Sequence, residues 1–338
     1  MNNLRTTIHK RGESGGTEIG WSALSQYARC PRQWALAELL PHPSGGTGLA
    51  SRPGRALIVG TLVHAFLKGW YLSDPDNGHY SADAGFTELH EAKLLFSDDD
   101  ITQTGYGKDT PLADAMDLCR RYAKECGADG PDPDIARFRV ATDEEGPLVE
   151  RYFKVDLGYN DYYLTTRIDT IGWAPGSDDI ILIPEHKTCD VSKQMATIFD
   201  LALSGQLTIE TWAIRSNLGH TGEIIPVINL IRKRAAAKDV CRIWEPQRRT
   251  PVDLEYFRQH IIRRLRRMDS DVAEYRALVE KGVPPLTAIL TVFEAAPPRE
   301  TCAGQGFKCF AYDLCSDIAN AGAWLLGTDA RFPKEEAA

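Results

Sequence analysis

Apolar and polar residues alternate with a period of two through the middle of the chain. The alternation runs through residues 148–158 and again through residues 163–173, and a continuous apolar run follows at residues 180–183. Alternation predicts half-buried strands, and a short apolar run predicts a strand buried on both faces. The segment APGSD before the apolar run has turn chemistry, so we predict a β-hairpin. In that hairpin Asp169 and Glu185 would face each other at about 5 Å.

Helical periodicity flanks these strands on both sides. Near the start, Ser22 can cap one helix and Pro31 suits the first turn of the next, which places Cys30 between them. The other predicted elements are helices over residues 55–72, within 80–127, over 194–217 and over about 252–281, and strands over 223–232 and 239–246. This order predicts an α/β protein in which helices flank a mixed central sheet.

The chain of 338 residues, 43% of them hydrophobic, is long enough for one large domain or two smaller ones. No apolar run approaches the roughly 18 residues of a membrane-spanning helix, and the N-terminus lacks the apolar segment of a signal peptide. We therefore expect a cytoplasmic protein without membrane contact, located in the host cytoplasm if the gene comes from a phage.

The end of the apolar run carries candidate chemistry. Glu185 and Lys187 are two residues apart, so a strand places them on one face. Charges at the end of a buried strand lie at a sheet rim, where α/β proteins form sites. With Asp169 they offer hard oxygen ligands for Mg²⁺ or Mn²⁺ and an ammonium beside them, as phosphodiester hydrolysis requires. The alternative is a solvated ion pair at a strand end.

Charge is segregated along the chain. The net charge is −8, but residues 232–267 contain twelve Lys and Arg against four Asp and Glu, which leaves −16 for the rest. A concentrated basic segment is typical of contact with a phosphate backbone, and the alternative is a solvated basic helix face. The candidate DNA-binding residues are Arg167 on the predicted hairpin and Arg232, Lys233, Arg234, Arg263, Arg264, Arg266 and Arg267 in the basic segment.

Several motifs together resemble a known family. Asp169, a hairpin and then Glu185-x-Lys187 resemble the PD-(D/E)XK nuclease superfamily. The sequence GTLVH, which ends at His64 on a predicted helix, matches the upstream histidine motif of the RecB-like branch, and Gln206 resembles its glutamine motif. A cysteine set resembles the iron–sulfur form found in AddB-type and CRISPR-associated RecB-like nucleases. The set consists of Cys30, Cys302, Cys309 and Cys315, and the resemblance extends from about Trp21 to Cys315.

The resemblance implies a restriction-endonuclease-like core and a role for each matched residue. Lys187, Glu185, Asp169 and Gln206 would be catalytic, and the metal would be held by His64, Asp169, Glu185 and the backbone carbonyl of His186. His64 alone would more simply be read as a core histidine. Two positions depart from the branch. Glu210 replaces its usual tyrosine, and six residues rather than two separate Cys302 from Cys309.

Four cysteine thiolates suit either a [4Fe–4S] cluster or structural zinc, and the resemblance favours the cluster. Cys119, Cys126, Cys189 and Cys241 are predicted to be ordinary buried thiols. The expected regions are a tail at 1–20 without stable structure, N-terminal helices at 21–54, a helical region with His64 at 55–135, a nuclease core at 136–285 and an iron–sulfur tail at 286–338.

These observations predict a metal-dependent deoxyribonuclease. We expect an exonuclease acting on single strands or duplex ends in recombination, repair or replication, with proteins of those processes as possible partners. One alternative is a catalytically silent DNA-binding protein of the same fold that carries the cluster or zinc. Another is a zinc-stapled helical regulator in which the hairpin carboxylates are surface charges.

Overall fold

The computed structural model describes residues 17–40, 55–74, 76, 78–102, 110–126, 139–233, 240–246 and 248–295. These residues form two compact units. Unit 1 contains residues 17–21 and 55–259, and unit 2 contains residues 22–40 and 260–295. The candidate residues Arg234, Cys302, Cys309 and Cys315 lie outside the described residues, and the five predicted regions stay predictions.

The strands of unit 1 form a three-stranded, a five-stranded and a two-stranded sheet. The first has the order β1-β6-β5, the second β10-β9-β8-β7-β2 and the third β3-β4. Strand β1 is parallel to β6 and β8 is parallel to β9, whereas the other pairs are antiparallel. The bounds are β1 Thr17–Gly20, β2 Arg139–Val140, β3 Thr142–Asp143, β4 Gly146–Pro147, β5 Val149–Asp156, β6 Tyr162–Thr170, β7 Gly172–Trp173, β8 Ile180–Asp190, β9 Glu223–Lys233 and β10 Cys241–Trp244.

Helices of unit 1 surround the sheets, which confirms the predicted α/β class with a mixed sheet flanked by helices. Helix α3 packs against α4 and α6 through a core that includes Phe66, Trp70 and Tyr122. Among the residues that the structure describes, no helix is both long and apolar enough to cross a membrane. The helices are α1 Trp21–Arg29, α2 Pro31–Glu38, α3 Arg55–Leu72, α4 Ala82–Lys93, α5 Asp98–Thr102, α6 Pro111–Cys126, α7 Gln194–Leu203, α8 Gln206–Asn217, α9 Pro251–Glu280 and α10 Pro285–Val292.

Strand β8 lies between β9 and β7 in the five-stranded sheet. Its ladder with β9 runs unbroken from Ile180 to Asp190, and Ile181, Ile183 and Glu185 are buried. The prediction that Glu185 and Lys187 lie at the end of this strand is therefore wrong. The parallel ladder carries the strand past Lys187, so Glu185 lies within a buried strand and not at its rim.

The predicted hairpin forms only near its turn. Strand β7 pairs with β8 through Gly172↔Leu182 and Trp173↔Ile181, the register that would place Asp169 opposite Glu185. Pairing stops there, and Asp169 belongs to β6 in the three-stranded sheet, so direct pairing of these residues on adjacent strands is wrong. The next residues on β8 include Pro184, which has no N–H to donate to a ladder.

The predicted helix over 194–217 is two helices, α7 and α8, separated by Ser204 and Gly205. A Cβ atom at Gly205 would lie 2.4 Å from the ring of Trp21 and 2.5 Å from the ring of Phe257. These two rings pack against each other with centroids 5.6 Å apart. The break itself lies at Ser204, whose backbone is extended, and Gly205 allows a close approach of aromatic side chains that a larger residue would block.

Unit 2 is helical, with α1 from residue 22, α2, the part of α9 from residue 260, and α10. Its core is a chain of aromatic rings in which Tyr27 contacts Trp34 edge-on at 5.3 Å and Trp34 contacts Phe293 at 5.9 Å. Cys30 is the N-cap of α2, where its Sγ accepts the N–H of Gln33 at 3.4 Å. The predicted helix junction at Cys30 is confirmed.

Candidate active site

Three potential metal ligands from three elements of unit 1 converge. His64 comes from α3, Glu150 from β5 and Asp169 from β6, and one ligating atom of each lies within 4.8 Å of the other two. Nδ1 of His64 is 3.3 Å from Oδ1 of Asp169 and 3.8 Å from Oε1 of Glu150. Two carboxylate oxygens and one imidazole nitrogen form a donor set that suits Mn²⁺ or Mg²⁺.

Glu150 was not predicted from the sequence. Within an alternating strand it resembles an ordinary outward-facing charge, and its role emerges only when β5 is paired with β6. The pairs Val149↔Thr170 and Arg151↔Ile168 leave Glu150 opposite Asp169. Glu150 also has a φ of +52°, a conformation that costs about 1–3 kcal/mol and is concentrated at functional sites.

Asp169 connects the two main sheets. Its Oδ2 accepts the backbone N–H of His186 on β8 at 3.0 Å, while Oδ1 faces His64. Residues 185–187 are therefore held beside the carboxylate although β6 and β8 do not share a ladder there. The side chain of Asp169 is 13% exposed, which leaves this group open to a small ion.

Glu185 and Lys187 form a charge pair beside this group. The Nζ of Lys187 contacts Oε1 of Glu185, whose side chain is almost fully buried while that of Lys187 is 35% exposed. Burial and the charge of Asp169 raise the pKa of Glu185. Burial lowers the pKa of Lys187, but the charges of Glu185 and Asp169 outweigh it, so the pKa ends above its usual value. Lys187 is therefore protonated at neutral pH.

His64 and Asp169 shift each other's protonation in the absence of metal. Burial lowers the pKa of His64, but the charge of Asp169 and its hydrogen bond raise the pKa to about 10. Burial raises the pKa of Asp169, and the nearby imidazole outweighs that effect and holds the pKa below its usual range. At neutral pH the pair is an imidazolium facing a carboxylate.

A comparison with protein families agrees with this geometry. A family model described as the PD-(D/E)XK nuclease superfamily matches residues 19–280. The chain belongs to the PD-(D/E)XK nuclease superfamily. A search of curated proteins finds no match.

Membership in the superfamily confirms the resemblance at that level and identifies the chain as a metal-dependent nuclease, a phosphodiester hydrolase with DNA as substrate. Its members use divalent ions such as Mg²⁺ or Mn²⁺, and the donor set of His64, Glu150 and Asp169 fits such an ion. The match does not distinguish the RecB-like branch, which stays a prediction with its iron–sulfur cluster.

Glu210 is a further carboxyl group of this nuclease site. It is fully buried, and neither of its oxygens meets hydrogen-bond geometry with a described residue. Burial and the charges of Glu185 and Asp169 raise its pKa well above the usual value, while the nearby Gln206 side chain lowers it. Gln206, one of the residues predicted to be catalytic, is the first residue of α8 and lies beside Glu210. Glu210 was noted in the sequence only as a departure from the branch.

Behind the site, His186 takes part in a buried polar network. Its Nδ1 is 3.0 Å from Nδ2 of Asn229, the residue paired with it on β9. The same amide donates to the hydroxyl of Tyr122, which is 3.1 Å from that of Tyr71, and the ring of Tyr71 stacks on His186. Burial lowers the pKa of His186 to about 4, so its imidazole is neutral. This network fixes the segment whose N–H binds Asp169.

The predicted DNA-binding residues fall into both units. In unit 1, Arg167 is 59% exposed and lies 3.7 Å from Glu150. Arg232 donates to Gln194, and burial lowers the pKa of Lys233. In unit 2, residues 263, 266 and 267 of α9 are exposed, while Arg264 is half-buried and interacts with His260.

The cysteine prediction is testable only at one of its four positions. Cys30 is a buried free thiol at the start of α2. The other proposed ligands, Cys302, Cys309 and Cys315, lie outside the described residues, so the cluster stays a prediction. Capping a helix is a structural role that Cys30 fulfils by itself.

Proposed function

We propose that this nuclease is an exonuclease of the RecB-like branch that degrades DNA from single strands or duplex ends. The observation that carries the proposal is the convergence of His64, Glu150 and Asp169 beside the Glu185–Lys187 pair. The histidine on α3 and the glutamine at the start of α8 support the RecB-like assignment, because both match motifs of that branch.

In this proposal His64, Glu150 and Asp169 hold the divalent ion, and Glu185 and the backbone carbonyl of His186 are further ligands. When bound, the ion neutralises charge on the phosphate and lowers the pKa of a bound water. The N–H of His186 fixes the carboxylate of Asp169 from behind at 3.0 Å. A ligand held in this way needs little rearrangement to bind an ion.

Lys187 supplies positive charge rather than a base. The carboxylates of Glu185 and Asp169 keep its pKa above the usual value, so it is an ammonium at neutral pH. An ammonium donates hydrogen bonds and stabilises charge that develops on the phosphoryl oxygens, and it can orient the attacking water. Gln206 is proposed to act with it through its neighbour Glu210.

Exposed arginines would hold the DNA. Arg167 lies next to Glu150 at the edge of the metal-ligand group, where it can contact the phosphate beside the bond that is cut. In unit 2, the exposed basic residues of α9 offer a second phosphate contact. The remaining members of the proposed DNA-binding set are Arg232, Lys233, Arg234 and Arg264.

We further propose that Cys30, Cys302, Cys309 and Cys315 hold a structural [4Fe–4S] cluster, with zinc as the alternative. A cytoplasmic location and a role in recombination, repair or replication complete the proposal. Anaerobic purification tests the cluster. Brown protein with broad visible absorbance and about four irons per chain supports it, whereas colourless protein containing zinc supports the alternative.

The activity is tested with end-labelled single-stranded and duplex DNA in Mn²⁺ or Mg²⁺. The parent chain should degrade these substrates and spare circular single strands, and a chelator should stop it. Asp169→Asn and Lys187→Ala should lose activity, whereas Glu91→Gln, on an exposed face of α4, should not.

Three results would contradict the proposal in different ways. Cleavage of circular DNA would exclude an obligate exonuclease. Full activity of Asp169→Asn would exclude the metal site. DNA binding without cleavage in any metal would support the catalytically silent alternative.

A further inference from the structure

Two buried cysteines from distant parts of the chain lie side by side in unit 1. The Sγ of Cys126, the last residue of α6, is 2.9 Å from the Sγ of Cys241, the first residue of β10. Neither forms a disulfide in the structure, and Cys241 is 7% exposed while Cys126 is fully buried. A disulfide bond is about 2.0 Å long, so roughly 0.9 Å of movement would close the gap. We propose that Cys126 and Cys241 are a modification site that forms a disulfide on contact with a small-molecule disulfide oxidant.

The surrounding backbone fixes the pair independently of the two sulfurs. The carboxylate of Glu125, the residue before Cys126, accepts the N–H groups of Val240 at 2.6 Å and Cys241 at 3.3 Å. Glu125 is only 4% exposed, and charge-assisted hydrogen bonds in such surroundings are strong. The end of α6 is therefore hydrogen-bonded to the start of β10. The two thiols lie close together because Glu125 already binds the backbone of Val240 and Cys241.

The other buried cysteines of unit 1 provide a contrast. Cys119 and Cys189 are also free and buried, but within the described part of the chain neither has another sulfur within hydrogen-bond distance. Burial raises the pKa of both thiols, which disfavours the reactive thiolate. They are matched controls within the same molecule.

The reaction balances with an oxidant such as oxidised glutathione. The thiolate of Cys241, the more exposed of the two residues, attacks one sulfur of the oxidant, whose S–S bond breaks and releases one thiol. Cys126 then attacks the sulfur of Cys241 in the mixed disulfide and releases the second thiol. Two electrons pass from the chain to the oxidant, and the two thiol protons end on the released glutathione.

The link would join α6 to an edge strand of the five-stranded sheet. Cys241 pairs with Ile231 on β9, and β9 pairs with β8 along its whole length. A bond that closes a loop of 115 residues stabilises the folded state mainly by restricting the unfolded chain. The inference is independent of the proposed nuclease roles, because neither thiol belongs to the metal-ligand group.

Peptide mapping of the full-length chain tests the proposal. The protein is treated with oxidised glutathione, free thiols are blocked, and trypsin is added. The expected product is a disulfide-linked pair of peptides, ECGADGPDPDIAR with Cys126 and DVCR with Cys241. Peptides with Cys119 and Cys189 should remain alkylated, and the melting temperature should rise by at least about 3 °C. Cys126→Ser should lose both the linked pair and the rise.

Several outcomes would overturn the inference, most of them without any variant. One is alkylation of Cys126 and Cys241 to the same extent as Cys119 and Cys189. Another is a mixture in which Cys126 links to several different cysteines, which would show unfolding before oxidation. A lower melting temperature of the linked protein would show that the bond does not fit the folded chain. In Cys126→Ser, a persisting rise would assign the stabilisation to other cysteines.

Discussion

Replacing Glu150 with glutamine tests the one metal ligand that the sequence did not predict. The substitution keeps the size of the side chain and the left-handed backbone at this position, and it removes one negative charge. That carboxylate lies 3.8 Å from Nδ1 of His64. Two unit charges at this distance interact by about 4 kcal/mol at an effective dielectric constant of about 20.

The carboxylate would attract a divalent ion held beside His64 at least this strongly, and part of that energy is offset, because a charged Glu150 must be desolvated and repels Asp169. A net loss of about 2–3 kcal/mol in metal binding corresponds to a roughly 30- to 140-fold rise in the half-saturating Mn²⁺ concentration. The metal-free variant should be no more stable than the parent, because the substitution removes the attraction of Glu150 to the His64 imidazolium and to Arg167 as well as its repulsion of Asp169. At saturating Mn²⁺, much of the cleavage rate should return.

The assay is the Mn²⁺ dependence of DNA cleavage, with metal binding measured separately by calorimetry. Glu145→Gln is the matched control, because Glu145 is an exposed carboxylate nearby in the chain that pairs with Arg151. An unchanged half-saturating Mn²⁺ concentration in Glu150→Gln would refute the assignment of Glu150 as a ligand. A loss of cleavage at every Mn²⁺ concentration with unchanged metal affinity would instead give Glu150 a role in the reaction.

Three further predictions concern protonation and packing. Because the pKa of His64 is about 10 without metal, Mn²⁺ binding at pH 7 should release about one proton. The heat of binding measured by calorimetry should therefore depend on the ionisation enthalpy of the buffer. A heat of binding that is the same in every buffer would contradict this prediction. The raised pKa of Glu210 favours folding fully below its unfolded value of about 4.5, and this contribution is lost as pH rises towards the folded value. Metal-free Glu210→Gln should therefore lose less stability between pH 5 and pH 8, tested by urea unfolding, and identical pH profiles would argue against a buried ionisable carboxyl. Gly205→Ala should be destabilised by about 1–3 kcal/mol in urea, because its Cβ would overlap the Trp21 and Phe257 rings, and parental stability would contradict the close packing.

Local sequence patterns predicted most of the helices and strands, because the periodicity of apolar residues depends only on residues close together in the chain. Helix α3 has the predicted bounds Arg55–Leu72, and strands β5 and β9 occupy the predicted segments. What local patterns could not supply is the partner of each strand. Alternation in β6 is the same whether it pairs with β8 or with β5, so the hairpin prediction extended a ladder that the fold interrupts.

The sequence predicted those site residues that belong to a recognisable pattern of positions along the chain. Glu185 and Lys187 are two residues apart on one strand, Asp169 lies on the strand before the predicted turn, and His64 belongs to a recognisable motif. Glu150 has no such spacing, because its position depends on the register of β5 against β6. Glu210 was visible as an unusual residue, but its complete burial depends on how α8 packs.

The break between β6 and β7 explains why the site forms where it does. If the ladder with β8 had continued, the N–H groups of β8 would have been used by backbone carbonyls of β6. Because Pro184 cannot donate and the ladder of β8 with β7 ends at Leu182, the N–H of His186 is left for the carboxylate of Asp169. The pairing of β6 with β5 places Glu150 opposite Asp169. The end of the β7–β8 ladder, which makes the hairpin prediction wrong, therefore gathers the metal ligands around Asp169.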